Sequence, residues 1–312
     1  MNTIHNFSAS LIQRTKQAGR YSTSGIYTST VNSFFPLHRP PFHHFLQISP
    51  PSLIKQYEDR LLGEGRRHNT ISTYMRMLRS ISHQAAEQGI PFTHSIDDLF
   101  AYVFTGYEPT AKRAISPLLI RRLVNLDLEK KPALRFSRDM FLLSFYLRGI
   151  PFVDLVHLRK TDVKHNTIYY YRHKTRQQLS VHIESYAAQI INRYKNEAAS
   201  SPYLLPILSL TGEDGYRQYK SALRLYNQHL HTLSKMLRLS IPLTSYVARH
   251  SWATTAKDEG VAISVISESL GHTSEKVTHV YLASFDNNAM SKANKKSDCN
   301  NPSKQKEKNP KN

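Results

Sequence analysis

Along most of the chain the apolar side chains recur at intervals of three and four, the period of an α-helix; between residues 168 and 183 the period drops to two. That contrast restricts the fold to a mostly α architecture carrying one small β-hairpin. The helical signal is clearest in "RRHNTISTYMRMLRSISHQAAEQGI". There Ile71, Tyr74, Leu78, Ile81 and Ala85 define an apolar face, with Arg76, Arg79 and His83 opposite. The strand signal lies in "NTIYYYRHKTRQQLSVHI". Ile168 to Tyr171 and Leu179 to Ile183 are rich in β-formers, and Leu179, Val181 and Ile183 alternate with Ser180 and His182. A basic turn joins the two runs and puts Lys174 near the hairpin tip.

The remaining helices follow from stop signals and stripes. "NFSASLIQRTKQAG" pairs Phe7 with Leu11 and ends at Gly19. A weaker helix fits "YSTSGIYTSTVNSFFPL", and a third fits "SPPSLIKQYEDRLLGEG". Further on, helices are expected at Ser137 to Leu147, from Pro151, at Tyr186 to Lys195 and at Tyr216 to Leu237. Two more end at Gly260 and Gly271. Residues 91 to 115 read as a connector. The 312 residues suit two domains, 1–110 and 111–290, followed by a polar tail, 291–312, whose seven lysines and lack of apolar period predict disorder.

Charge narrows the partners. There are 42 Lys and Arg against 23 Asp and Glu, a formal net charge of +19. Such an excess favours a polyanion, nucleic acid before an anionic membrane. Before Glu58 there is no acidic residue, and the stretch is rich in Ser and Thr. Organelle transit peptides share that composition, as do helices lying along DNA phosphates, and the second reading is preferred. Cys299 is the sole cysteine, so no intrachain disulfide and no cysteine-built zinc site is expected, which fits a reducing compartment. The most apolar region, Phe141 to Leu158, is interrupted by Arg148, Pro151 and Asp154, so no membrane span is expected. The N-terminus lacks the apolar core of a secretory signal. A cytoplasmic, DNA-associated protein of bacterial type is the resulting expectation.

Three short motifs stand in register near the C-terminus. "ARHSWAT" holds Arg249 and His250, "LGH" ends at His272, and "VYL" holds Tyr281 nine residues later. Their order and spacing resemble the signature of the tyrosine recombinase, or phage integrase, family. The N-terminal half, with "GRYSTSGIYTSTVNS" and "NTISTYMRMLRSI", is similar to the helical core-binding domain of short mobile-element integrases. The resemblance spans nearly the whole chain except the tail. It implies an N-terminal SAM-like helical DNA-binding domain and a C-terminal α+β tyrosine recombinase catalytic domain. It also implies DNA cleavage and rejoining through a 3′-phosphotyrosine, without metal or cofactor.

The residue types suit that chemistry. A tyrosine hydroxyl can attack phosphorus and preserve the bond energy in a covalent linkage. Arginine offers a permanently charged planar fork for the phosphate oxygens. Lysine or histidine can protonate the leaving oxygen. The resemblance assigns Tyr281 as nucleophile, Arg249 and Arg148 as phosphate clamps, Lys174 as proton donor to the 5′-oxygen, and His272 as a hydrogen-bond donor to the phosphate. His250 reads as a structural helix residue. Two positions depart from the family pattern. Tyr246 stands three residues before Arg249, where the family usually has histidine, and a phenol accepts protons poorly near neutral pH. Arg148 precedes Asp154 by six residues rather than three, with Pro151 at the usual place. Candidate DNA contacts are Arg66, Arg67, Arg76 and Arg79 in the first domain and Arg172 and Arg176 on the hairpin. The implied partners are double-stranded DNA gripped between the two domains, three further protomers in a tetramer, and accessory DNA-bending proteins. The segment after Tyr281 is expected to dock on a neighbouring protomer. Two alternatives stay open: a relaxing topoisomerase of type IB-like chemistry, and an inactive relative that binds specific DNA sites without cutting.

Overall fold

The computed structural model describes residues 4–35, 51–108 and 114–282; the side chains of Val280 and Tyr281, and the tail 291–312, lie outside the described part. The chain divides into two compact units, Met1–Thr110 and Ala111–Asn312.

The first unit is helical. It comprises α1 (Ile4–Gln17), α2 (Tyr21–Phe34), α3 (Pro51–Gly63), α4 (His68–Glu87) and the short α5 (Ile96–Leu99). Helix α2 is rich in Ser and Thr, which compete with the backbone for hydrogen bonds. Here the hydroxyls of Thr28, Ser29 and Thr30 each donate to the carbonyl four residues earlier, at 2.9 Å. The apolar face of α4 buries Ile71, Met75, Leu78, Ile81 and Ala85, while Tyr74 is only half-buried. Arg76 and His83 are exposed on the other face.

Residues 91 to 108 correct the expectation of a connector. Ile96, Leu99 and Phe100 are buried in the core of this unit. Buried Glu58 accepts the Phe104 N–H at 2.6 Å, and the Ser72 hydroxyl donates to the Gly106 carbonyl at 2.6 Å. Asn69 exchanges two hydrogen bonds of 2.8 Å with the backbone of Glu108. Irregular backbone can thus be fixed by polar side chains on α3 and α4, which no apolar period announces.

In the second unit, α6 (Pro117–Val124) starts at a Ser116 cap and α7 (Pro132–Tyr146) runs through the centre. Residues 137 to 144 of α7 are all buried, so this helix is covered on every side. Around it pack α9 (Ser185–Arg193), α10 (Gly212–Met236) and α11 (Val247–Asp258). Asp139, fully buried on α7, accepts from Arg138 Nε at 3.0 Å, Arg193 at 2.5 Å and the Tyr194 hydroxyl at 2.7 Å. Between α7 and α9 lie α8 (Phe152–His157) and a three-stranded antiparallel sheet, β1 (Val163–Lys164), β2 (Thr167–Tyr171) and β3 (Gln178–His182). Ile168 pairs with Val181 and Tyr170 with Leu179, all four buried, while Tyr169 and Tyr171 face outward. The two-residue β1 is too short to leave an alternating pattern. Two last helices, α12 (Ile263–Leu270) and α13 (Glu275–Leu282), complete the described chain. No helix among the described residues is long and apolar enough to cross a membrane.

Candidate active site

Helix ends build the site. Helix α7 finishes with the Gly149 N–H bonded to the Ser144 carbonyl at 2.8 Å, the six-to-one bond of a Schellman turn. The left-handed position of that turn usually takes glycine; here it is Arg148, with φ 57°. A side chain there costs about 1 kcal/mol and persists only where its surroundings compensate. The conformation leaves Arg148 exposed, with no hydrogen bond or ion pair to the described residues. The next residue, Gly149, has φ 68°, and a Cβ on it would stand 2.8 Å from Arg249 Cα. Only a glycine lets this turn sit directly against α11.

Arg249 is 4% exposed. One guanidinium nitrogen donates to the Gly149 carbonyl at 3.0 Å. The other donates to the Leu270 carbonyl and lies 3.3 Å from His272 Nε2. The turn after α12 explains why "LGH" has this composition. Leu270 is buried with Ala253, Ile266 and Leu282. Gly271 adopts φ 62°, and a Cβ there would meet Arg172 Cγ at 3.0 Å and Leu179 Cδ1 at 3.1 Å. The His272 N–H closes a second Schellman turn on the Ser267 carbonyl at 3.0 Å. The Leu270 carbonyl also accepts from Arg172 at 2.9 Å, so one oxygen ties two arginines to the end of α12.

Arg172, expected as a DNA contact on the hairpin, is only 7% exposed. Its Nε lies 3.3 Å from Asp154 Oδ2, and Asp154 Oδ1 accepts the His173 N–H at 2.8 Å. Asp154 and Arg172 therefore anchor the base of the hairpin to α8 and α12. Lys174 and Arg176 occupy the exposed turn, which is closed by the Arg172 N–H bonded to the Gln177 carbonyl at 2.9 Å. Thr175 reaches the Gly271 carbonyl at 3.4 Å.

The result is a cationic cluster around a histidine. His272 is driven down to about 4 by burial first, then by the charges of Arg249, Arg172 and Lys174. The ring is neutral near pH 7. Burial first, then the charge of Asp154, likewise raises the Tyr170 phenol, and Arg172, Arg249 and Arg148 oppose the rise. Arg148, Arg172, Lys174, Arg249 and His272 thus converge. Tyr246, at the start of α11, is 61% exposed, with its ring 6.2 Å from that of His250. Tyr281 lies on α13, one turn beyond Thr278. Thr278 was missed in the sequence. It is fully buried, and its hydroxyl lies 2.8 Å from His272 Nδ1. The signal was its place six residues after His272 and three before Tyr281, which puts it on the same helix flank as the tyrosine.

Of the arginines expected to contact DNA in the first unit, Arg66 and Arg67 immediately precede α4, and Arg66 Nε is 3.5 Å from Glu64. Arg76 is exposed, and Arg79 is paired with Asp97.

Comparison with known proteins agrees with this architecture. The phage integrase family model matches residues 122–288, and that of the phage integrase SAM-like domain matches residues 3–95. Tyrosine recombinase XerA of Thermococcus kodakarensis is 28% identical over 176 residues, 55% of this chain and 60% of that protein. Among solved structures, the Tn1549 transposon integrase in complex with a circular intermediate DNA superposes with a TM-score of 0.65 at 14% identity, covering 90% of this chain and 95% of the other. A lambda integrase dimer bound to a COC′ core site gives 0.61 at 15% identity, covering 90% and 77%. A lambda integrase tetramer bound to a Holliday junction gives 0.59 at 15%, with the same coverage. The aligned region spans 60% of the length of the curated relative. With one family model covering more than half of its residues, the chain belongs to the phage integrase family.

Proposed function

We propose that the protein is a site-specific DNA recombinase. Tyr281 attacks a phosphorus atom of one DNA strand, forming a 3′-phosphotyrosine as the bond to the 5′-oxygen breaks. Lys174 gives that oxygen its proton. Arg249 and Arg148 hold the non-bridging oxygens, on which charge grows in the transition state. Tyr246 adds a phenolic hydrogen bond. The proton lost by Tyr281 goes to water. Rejoining reverses each step with a hydroxyl from another strand.

One observation carries this reading. Arg249, buried and bonded to both the Gly149 and Leu270 carbonyls, is fixed before any substrate arrives and sits beside a neutral His272. The described cations acting on His272 are Arg249, Arg172 and Lys174, a set that suits a phosphate. Double-stranded DNA is therefore the proposed substrate. Exchange between two duplexes requires four cleavages, so a tetramer on DNA is the proposed working form, in a bacterial cytoplasm with accessory DNA-bending proteins. The tetramer of lambda integrase on a Holliday junction is consistent with this.

The test uses a nicked duplex carrying a candidate site, chosen by searching the DNA that flanks the coding region for inverted repeats. Wild-type protein traps a covalent adduct resistant to denaturant. Tyr281→Phe forms none, and Arg249→Ala reduces the rate by a hundredfold or more, the range found when one transition-state donor is lost. Normal recombination by Tyr281→Phe would overturn the assignment. Relaxation of supercoiled plasmid of unrelated sequence at the same rate would indicate a topoisomerase instead.

A further inference from the structure

We propose that Thr278 is a positioning residue that lets His272 exchange its ring proton between nitrogens, and so change from hydrogen-bond acceptor to donor as the phosphate enters. The inference rests on the recombinase reading of the same site and assigns a role to a residue outside the expected set.

Arginine can only donate. Arg249 lies 3.3 Å from His272 Nε2, so that nitrogen must accept and cannot carry the proton of a neutral ring. The proton then sits on Nδ1 and is donated to the Thr278 hydroxyl, 2.8 Å away. A phosphate needs the opposite arrangement. Once a phosphate oxygen takes the donor hydrogen of Arg249, an unprotonated Nε2 would turn a lone pair towards that oxygen, which is repulsive. With the proton on Nε2, the ring donates to the phosphate, and Nδ1 becomes an acceptor. A threonine hydroxyl serves both arrangements, because it can accept from Nδ1–H or rotate and donate to bare Nδ1. A carboxylate or carbonyl could only accept and would lock the first form.

The setting makes tautomer exchange the relevant process rather than protonation. Three described cations face the ring: Arg249 from α11, and Arg172 and Lys174 from the hairpin. On α8, Asp154 is turned to Arg172. On α12 Glu268 is exposed, and on α13 Glu275, Lys276 and His279 are exposed. The ring therefore stays neutral. No net proton is gained: Nδ1 releases one to water and Nε2 takes one up. Thr278 is fully buried on the helix that carries Tyr281, so the same contact ties that helix to the phosphate-facing imidazole.

The test compares Thr278→Val, which keeps shape and removes the hydroxyl, with Thr278→Ser, which keeps the hydroxyl. On the nicked duplex described above, Thr278→Val is expected to form adduct roughly tenfold more slowly, the equivalent of one hydrogen bond, and Thr278→Ser within about threefold of wild type. In a His272→Gln background, Thr278→Val should add no further loss. Equal losses in Val and Ser variants, or additive losses with His272→Gln, would overturn the role. A second readout is independent of cleavage. Imidazole nitrogen-15 NMR of the full chain should place the His272 proton on Nδ1 without DNA, and on Nε2 when Tyr281→Phe protein is bound to the same duplex. One tautomer in both states sinks the proposal. Absence of any adduct with wild-type protein, together with a tautomer change on DNA, would instead count against the cleavage reading alone.

Discussion

His272 links the chemistry of the site to the stability of the fold. Its ring is held down to about 4, against an ordinary value of 6.5. Between those two values the unfolded chain binds a proton that the folded chain refuses. Stability from this residue is complete above 6.5, is lost as pH falls, and levels off below about 4. Solvent screening of this partly exposed ring limits the effect to about 1 kcal/mol. Urea unfolding at pH 7 and pH 4.5 should therefore show a smaller difference for His272→Gln than for wild type; an unchanged difference would contradict the assignment. The candidate residues were legible for a plain reason. Arg249, His272 and Tyr281 stand close in sequence, so the resemblance of their motifs to a family signature could mark them out as one candidate site. The burial of Arg172 was not legible, because its neighbours Lys174 and Arg176 are exposed and no local pattern reveals that one arginine of the turn folds inward to Asp154.

At the level of elements, the second unit depends on a buried carboxylate as well as on apolar packing. Asp139 ties the central α7 to the end of α9 through Arg193 and Tyr194. Removing it would leave Arg138, 8% exposed, without its counter-charge. Asp139→Ala is expected to lose about 3 kcal/mol of unfolding free energy, as for other broken buried pairs, measured by urea denaturation. A loss below about 1 kcal/mol would mean that water replaces the missing partner. Helices α4 and α10 were readable because each shows one apolar stripe. Helix α7 extends further towards its N-terminus than expected, from Pro132, because proline at a first turn starts a helix that apolar periodicity registers only later. The hairpin was readable by alternation, whereas β1 and the packed stretch 91–108 were not. Strand β1 is a two-residue backbone pairing with β2, and the stretch is held by hydrogen bonds to side chains on α3 and α4.

For the whole molecule the dominant quantity is charge. A formal net charge of +19 cannot improve the stability of either unit, since like charges repel. It becomes favourable when phosphates replace their counter-ions. Binding of the duplex measured by fluorescence anisotropy should fall by about a thousandfold or more between roughly 50 and 200 mM salt, as for a protein making six or more phosphate contacts. A flat salt response would argue that the excess charge serves something other than DNA.

The sequence by itself determined the helical class, the single hairpin, the basic character and the linear motifs around Arg249, His272 and Tyr281, because periodicity, charge and spacing are local properties. Only the tertiary structure decided that Arg148 occupies a left-handed turn against α11, that Arg172 is buried, and that Thr278 meets His272. Each of these depends on residues from separate elements being brought within a few ångströms, through backbone turns at Gly149 and Gly271 whose close approaches exist only once the helices have packed.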